Sequence, residues 1–177
     1  MSTVRKIIGI WIALVMFVVI YPAAFLMFSS SFDRLLRFSP LGSNQLLTIL
    51  AAFLMAFGLF WLTWGYSFLH FVGKGSPIEA FGVALFPTSK LVVTGPYAYT
   101  RNPMLLGYLL ILLGIALLAL SISALILIPL IAIYSIIYIR VFEEPALLKR
   151  FSVKYETYRE SVPMFIPRLK VMEGKFD

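Results

Sequence analysis

Two adjacent carboxylates, Glu143 and Glu144, follow directly on a long run of apolar residues. Acidic side chains in such a run are expensive in a membrane unless they are paired or have a function. Consecutive helix positions point roughly 100° apart, so the two carboxylates can face different surroundings and one of them can hold a cationic ligand. The alternative is the ordinary solvated end of a helix, and the two residues alone leave both interpretations open.

A second group of candidate residues lies between two apolar runs. Residues 95–100 combine a tight turn with two tyrosine rings that can stack on a planar ligand. Arg101, Asn102 and Pro103 follow at the start of the next apolar run, where Asn suits a helix cap and Pro suits the first turn. Capping alone explains Asn102 and Pro103, but a plain connector does not require the tyrosines.

His70 is the sole histidine, and it stands among aromatic residues. It is interpreted first as an interfacial hydrogen-bonding residue and second as a general base. With one His and no Cys, the sequence predicts no zinc or di-iron site, no disulfide and no thiolate nucleophile. No nucleophile elbow, Walker loop or HExxH motif is present.

Membrane helices must position these residues. Apolar residues make up 61% of the 177 residues and charged residues 13%, against about 45–50% and about 25% in soluble domains. The sequence therefore predicts an all-α integral membrane protein with about four transmembrane helices, followed by a C-terminal amphipathic helix. The whole chain, 1–177, is predicted to form one domain, with two N-terminal spans in 1–72.

Charge-free runs locate the four predicted spans. The first covers 7–31 and is predicted to kink at Pro22. A polar break is predicted from Ser29 to Asn44, and the second span covers 45–73. The third and fourth, 104–120 and 124–142, are predicted to form a helical hairpin.

The predicted hairpin contains a polar triplet, a proline and two glycines. The hairpin divides at the polar triplet that begins with Ser121, and Pro129 is predicted to bend its second arm. Gly107 and Gly114 share one face of the third span and favour close packing of a neighbouring helix.

The charged tail is predicted to be an amphipathic helix that lies on the membrane and covers a ligand pocket. Its apolar residues recur every three or four positions: Leu147, Leu148, Phe151, Tyr155, Tyr158 and Val162.

Of the 15 Lys and Arg residues, four spans leave only Arg34 and Arg37 on one side of the membrane. The positive-inside rule then predicts a multi-pass protein with both termini and the 73–102 loop in the cytoplasm. Anionic lipid headgroups account for the many basic residues on the cytoplasmic side, and no nucleic-acid partner is predicted.

The chain resembles the superfamily of isoprenylcysteine carboxyl methyltransferases and phospholipid methyltransferases over about its last hundred residues. The residues that carry the resemblance are Gly73-Lys74-Gly75-Ser76-Pro77, the run from Leu91 to Gly107 (LVVTGPYAYTRNPMLLG), Phe142-Glu143-Glu144-Pro145, and Phe151, Tyr155, Tyr158, Val162-Pro163 and Phe165-Ile166-Pro167. The isoprenylcysteine enzymes have His where Asn102 stands, whereas Asn-Pro-Met followed by Gly is similar to the phospholipid N-methyltransferases.

The resemblance implies a membrane enzyme that transfers a methyl group from S-adenosylmethionine to a lipophilic or lipid-anchored acceptor, without a metal. It implies that residues 73–177 form the cofactor-binding core and that Glu143 and Glu144 belong to the site, with Glu143 holding the cationic amino-acid end of the cofactor. Arg140 stands near the position of a substrate-contacting arginine. The implied cofactor-binding residues are Lys90, Leu91, Val92, Tyr97, Arg101, Asn102, Pro103, Met104, Leu105 and Glu143.

Methyl transfer from a sulfonium needs mainly orientation and exclusion of water. A carboxylate acceptor needs no base, whereas an amine must lose a proton, for which Glu144 and His70 are the candidates. Amine, carboxylate and thiol acceptors remain open. Two other function classes remain as well: an NADPH-dependent reductase of the sterol-reductase type, and a non-catalytic membrane protein.

Overall fold

Helices dominate the computed structural model, which describes residues 11–12, 15–42, 44–75, 79–80, 83–84 and 87–168. The α-helices are α1 (Tyr21–Leu36), α2 (Gln45–Phe71), α3 (Pro103–Leu118), α4 (Ile122–Tyr138), α5 (Glu144–Phe151) and α6 (Val153–Ser161). A 3-10 turn covers Gly95–Ala98. Two-residue strands, β1 (Glu79–Ala80) and β2 (Val83–Ala84), pair antiparallel with Glu79 opposite Ala84. Some sequence-based predictions concern residues outside the described ranges. These are the start of the first span, the Ser76-Pro77 part of the motif, and the basic residues Arg5, Lys6, Lys170 and Lys175.

Within the described part of the chain, three helical runs are long and apolar enough to cross a membrane: Met16–Leu36, Gln45–Phe71 and Ile122–Phe151. Helix α3 is equally apolar but has 16 residues, which at about 1.5 Å per residue is shorter than the roughly 30 Å hydrocarbon layer. The predicted all-α membrane fold, with its third and fourth helices as a hairpin, is confirmed.

The end of the first span was predicted wrongly. The sequence predicted a polar break from Ser29, but the helix continues to Leu36 and ends at Arg37 in the left-handed region, with φ 56°. Serine hydroxyls in this stretch bond to carbonyls of the preceding turn, as Ser29 does to Leu26 (3.1 Å). Such bonds satisfy the polar side chains without ending the helix.

Two π-helical turns, Met16–Ile20 and Ile139–Glu143, precede Pro22 and Pro145. Proline has no N–H to donate and its ring crowds the preceding turn, so a locally wider helix accommodates it. In the second turn the N–H of Glu144 donates to the carbonyl of Ile139, five residues back. The turn therefore rotates Glu143 and Glu144 away from the directions that an uninterrupted α-helix would give them.

The described residues form two compact units, of which the first combines those up to Met55 with Leu112–Ile131. Its polar centre is Asp33, whose Oδ2 accepts a hydrogen bond from Ser121 Oγ (2.5 Å) and whose Oδ1 accepts one from the Ser123 N–H (2.9 Å). Ser121 Oγ in turn accepts the N–H of Ala124 (3.0 Å). A carboxylate and a hydroxyl thus cap the N-terminus of α4, where negative charge is favourable.

Replacing Asp33 by Ala is expected to lower the free energy of unfolding by about 2 kcal/mol, because two hydrogen bonds to the charged cap are lost. Chemical unfolding in detergent measures this change. Arg34→Ala, an exposed change one residue away, is the control. Equal stability of the two variants would contradict the capping role.

The second unit comprises Ala56–Ile111 and the described residues from Ala132 onward. Here α2 and α3 touch through their backbones: a Cβ atom added at Gly107 would lie 2.7 Å from the Leu62 nitrogen. In the first unit, Gly114 packs in the same way against Ala51 and Met55. The predicted role of the two glycines in close helix packing is confirmed.

The amphipathic tail is two helices rather than one. The chain breaks between α5 and α6 at Ser152, where φ is 47°. The apolar stripe that was predicted to lie on the membrane packs instead against residues 91–97 of the same chain: Tyr155, Tyr158 and Val162 are buried with Val92 and Tyr97.

Candidate active site

A buried ion pair joins the segment before α3 to the start of α5. Arg101 Nη1 lies 2.5 Å from Glu144 Oε1, and the two side chains are 12% and 9% exposed. Arg159 Nη1 lies 3.9 Å from the other Glu144 oxygen. The two sequence-predicted residues are therefore brought together as partners of each other. The sequence indicated only that both lie at the same side of the membrane.

Two buried tyrosines, Tyr155 and Tyr158, interact with Arg101 of this pair. Burial and, to a smaller extent, the Glu144 carboxylate raise the pKa of Tyr155 to about 12, although the Arg101 guanidinium acts in the opposite direction. Burial also raises the pKa of Tyr158 well above its usual value, with Tyr97 and Tyr155 adding to the effect. Both phenols therefore keep their protons at neutral pH, and both can donate a hydrogen bond.

Tyr97 and Glu143 form the second part of the site. Burial of the Tyr97 ring raises its pKa above the usual value, and the negative charge of Glu143 raises it further. The Glu143 side chain itself is half-buried. A neutral aromatic ring and a carboxylate are groups that suit a ligand that is both planar and cationic.

Apolar residues that precede the 3-10 turn support Tyr97. Val92 is buried beside it and Leu91 packs against them, whereas Lys90 is exposed. The turn begins at Gly95, whose φ of 60° favours glycine and where a Cβ atom would collide with the ring of Phe68.

The Asn-Pro-Met-Leu segment starts α3. Pro103 is buried at the first position of the helix, and Met104 packs against Gly65 of α2. Leu105 is half-buried. The side-chain amide of Asn102 donates to the Met164 carbonyl (3.1 Å), so this residue contacts the tail.

Two other candidates lie at the surface. Arg140 is exposed within the second π-helical turn. His70 is exposed near the end of α2, where its ring stacks on Tyr66 with a centroid distance of 5.9 Å. Across the described ranges, no three His, Cys, Asp or Glu residues are grouped so that they could hold a metal ion.

Three residues of this region were missed as polar groups: Tyr155, Tyr158 and Arg168. The two tyrosines were predicted only as parts of an apolar stripe. The available signal was the residue type, because a purely apolar stripe has no need of two hydroxyl groups. Arg168 carried no local signal, since its partners lie 70 residues away at Ala98 and seven residues away at Ser161.

The family model for phospholipid methyltransferase matches residues 46–154, more than half of the chain. The match contains Tyr97, Arg101, Glu143 and Glu144. A search of curated proteins and a search of solved structures each gave no match. The family match and the three membrane-length helices together identify an integral membrane protein. The chain belongs to the phospholipid methyltransferase family.

Proposed function

We propose that the protein is a membrane methyltransferase that uses S-adenosylmethionine to methylate a lipophilic acceptor. The observation that carries this proposal is the family match, which contains the complete set of candidate residues from Lys90 to Glu144. The family description favours a phospholipid as the acceptor, and a prenylated carboxylate is the second candidate.

The residues of this structure fit such a cofactor by their chemistry. S-adenosylmethionine has a planar adenine, a cationic sulfonium and an amino-acid end with one ammonium and one carboxylate. Glu143 is suited to the cationic groups, while Val92 and the Tyr97 ring are suited to the planar part. Arg101 Nε is buried and has no hydrogen-bond partner among the described residues, and a ligand oxygen would satisfy such a donor.

Bound S-adenosylmethionine supplies a methyl group that is attached to a positively charged sulfur. This methyl group is transferred to a nucleophile that lies in line with the breaking carbon–sulfur bond. Glu143 would hold the cationic end and fix its orientation. The Arg101–Glu144 pair would keep the segment before α3 and the start of α5 in register. The tyrosines buried around this pair would keep water away from the reacting groups.

Two groups of the site are unsuited to act as the base that takes a proton from the acceptor. Glu144 is engaged with Arg101, and Tyr97 keeps its proton at neutral pH, so neither is poised to take a proton from an acceptor. An amine acceptor would then use the exposed His70 or arrive already neutral. A carboxylate acceptor would need no base.

For access, we propose that this end of the protein faces the cytoplasm together with both termini. The basic residues support this orientation through the positive-inside rule. The soluble methyl donor would enter from the cytoplasm, and the lipid would enter from the bilayer.

Titration of the detergent-purified protein with S-adenosylmethionine, S-adenosylhomocysteine and NADPH tests the proposal by calorimetry. Binding of the first two compounds and not of NADPH is the expected result. Binding of NADPH alone would instead favour a reductase of the sterol-reductase type. Binding of none would favour a non-catalytic membrane protein.

A further inference from the structure

Residues 97–102, from the last two residues of the 3-10 turn to the residue before α3, are hydrogen-bonded to the tail of the chain at every position. Each of these six consecutive residues exchanges a hydrogen bond with a residue between 158 and 168. The bonds are Tyr158 Oη to Tyr97 O (2.8 Å), Arg168 Nε to Ala98 O (2.9 Å), Arg168 N to Tyr99 O (3.1 Å), Thr100 Oγ1 to Met164 O (2.9 Å), Arg101 N to Pro163 O (2.9 Å) and Asn102 Nδ2 to Met164 O (3.1 Å).

Main-chain atoms of the segment take part in four of these bonds. Tyr97, Ala98 and Tyr99 accept through their carbonyls, and Arg101 donates through its N–H. These groups lie at the end of a four-residue turn and in the segment between that turn and α3, so helical bonding does not satisfy them all. The tail thus fixes the path of the backbone and not merely the positions of side chains.

Two tail side chains each donate a hydrogen bond to a carbonyl of the segment. Tyr158 is 3% exposed, and its hydroxyl donates to the carbonyl of Tyr97. Arg168 donates through Nε to Ala98 and through Nη1 to the Ser161 carbonyl at the end of α6 (2.7 Å). One guanidinium therefore links the last helix to the candidate cofactor segment.

We propose that residues 158–168 form a strap that positions Tyr97, Arg101 and Asn102 for the methyl donor, and that Tyr158 and Arg168 are positioning residues. This proposal rests on the proposed function. The family match ends at residue 154, so the strap lies outside the matched region. The segment that it holds, residues 97–102, lies inside that region.

The test uses the full-length protein with Arg168→Ala, Tyr158→Phe and, as a matched control, Lys154→Ala. Lys154 is an exposed basic residue of α6 in the same tail. Each variant is titrated with S-adenosylhomocysteine, and amide hydrogen exchange is followed over peptides that contain residues 97–102. Arg168→Lys is added as the conservative variant, because it keeps the positive charge and one set of donors.

The strap predicts that Arg168→Ala weakens S-adenosylhomocysteine binding about tenfold and that Tyr158→Phe weakens it by a smaller factor. It predicts faster exchange over 97–102 in both variants, partial recovery in Arg168→Lys, and wild-type behaviour of Lys154→Ala. When methyl transfer to lipid is measured with these two variants, the KM for the methyl donor is expected to rise, while kcat at saturating donor changes little. A loss of stability alone would lower the yield of folded protein without this split.

Wild-type exchange over 97–102 in Arg168→Ala and Tyr158→Phe would overturn the strap, whether or not the protein binds the cofactor. Faster exchange with unchanged affinity would overturn its positioning role. If the wild-type protein binds no S-adenosylhomocysteine, the proposed function fails, and the exchange measurement still decides whether the strap holds the segment.

Discussion

Replacing Glu143 by Gln is expected to weaken the binding of S-adenosylmethionine by about a hundredfold while the thermal stability of the protein changes little. Truncating one member of a desolvated charge pair costs about 2–5 kcal/mol, and each 1.4 kcal/mol is a factor of about ten. Glu143 supplies a negative charge that raises the pKa of Tyr97, and the amide of Gln keeps the shape of the side chain but not its charge. Calorimetric titration and a thermal melt in the same detergent measure both quantities.

Glu156→Gln is the matched control, because it removes the same charge from an exposed position on α6. The control is expected to bind the cofactor as the wild type does. Equal affinity of Glu143→Gln and the wild type would refute the assigned role of Glu143.

Replacing Arg101 by Met is expected to have the largest effect on stability, lowering the free energy of unfolding by about 3–5 kcal/mol. The substitution leaves the Glu144 carboxylate buried and without its principal cation, since Arg159 lies farther away, at 3.9 Å. Chemical unfolding in detergent, followed by tryptophan fluorescence, measures the loss. Trp61 and Trp64 pack around Tyr99, two residues before Arg101, and report on this region.

The double variant Arg101→Met with Glu144→Leu separates charge from packing. It is expected to recover much of the lost stability, because a buried ion pair replaced by apolar side chains of similar size is often neutral or stabilising. Lys149→Ala, an exposed change on α5, is the control for an unpaired surface charge. A double variant less stable than Arg101→Met alone would contradict the ion-pair account.

The sequence correctly predicted the features that follow from a short stretch of residues. The length of α2 followed from its charge-free run, and the polar triplet at Ser121 correctly divided the hairpin. Gly107 and Gly114 identified the packing face of α3 because only a residue without a side chain lets two backbones touch. Each of these predictions needed only residues that are close together in the sequence.

Features that depend on distant partners could not be predicted. The Arg101–Glu144 pair joins residues 43 positions apart, and no periodicity connects them. The π-helical turn before Pro145 forms because the proline ring crowds the preceding turn of a helix that nevertheless continues. A hydrophobic pattern gives no sign of such a turn. The stripe of the tail was correct as an amphipathic pattern, but such a pattern does not tell a lipid surface from a protein surface.

The measurement that tests the central claim most directly is methyl transfer by the purified protein in liposomes. The liposomes contain a membrane lipid extract, and the methyl donor is S-adenosylmethionine labelled in its methyl group. The account predicts labelled lipid with the wild type, at least a tenfold lower yield with Glu143→Gln at donor concentrations below saturation, and wild-type yield with Glu156→Gln. No labelled lipid from folded wild-type protein, or equal yields from wild type and Glu143→Gln, would contradict it.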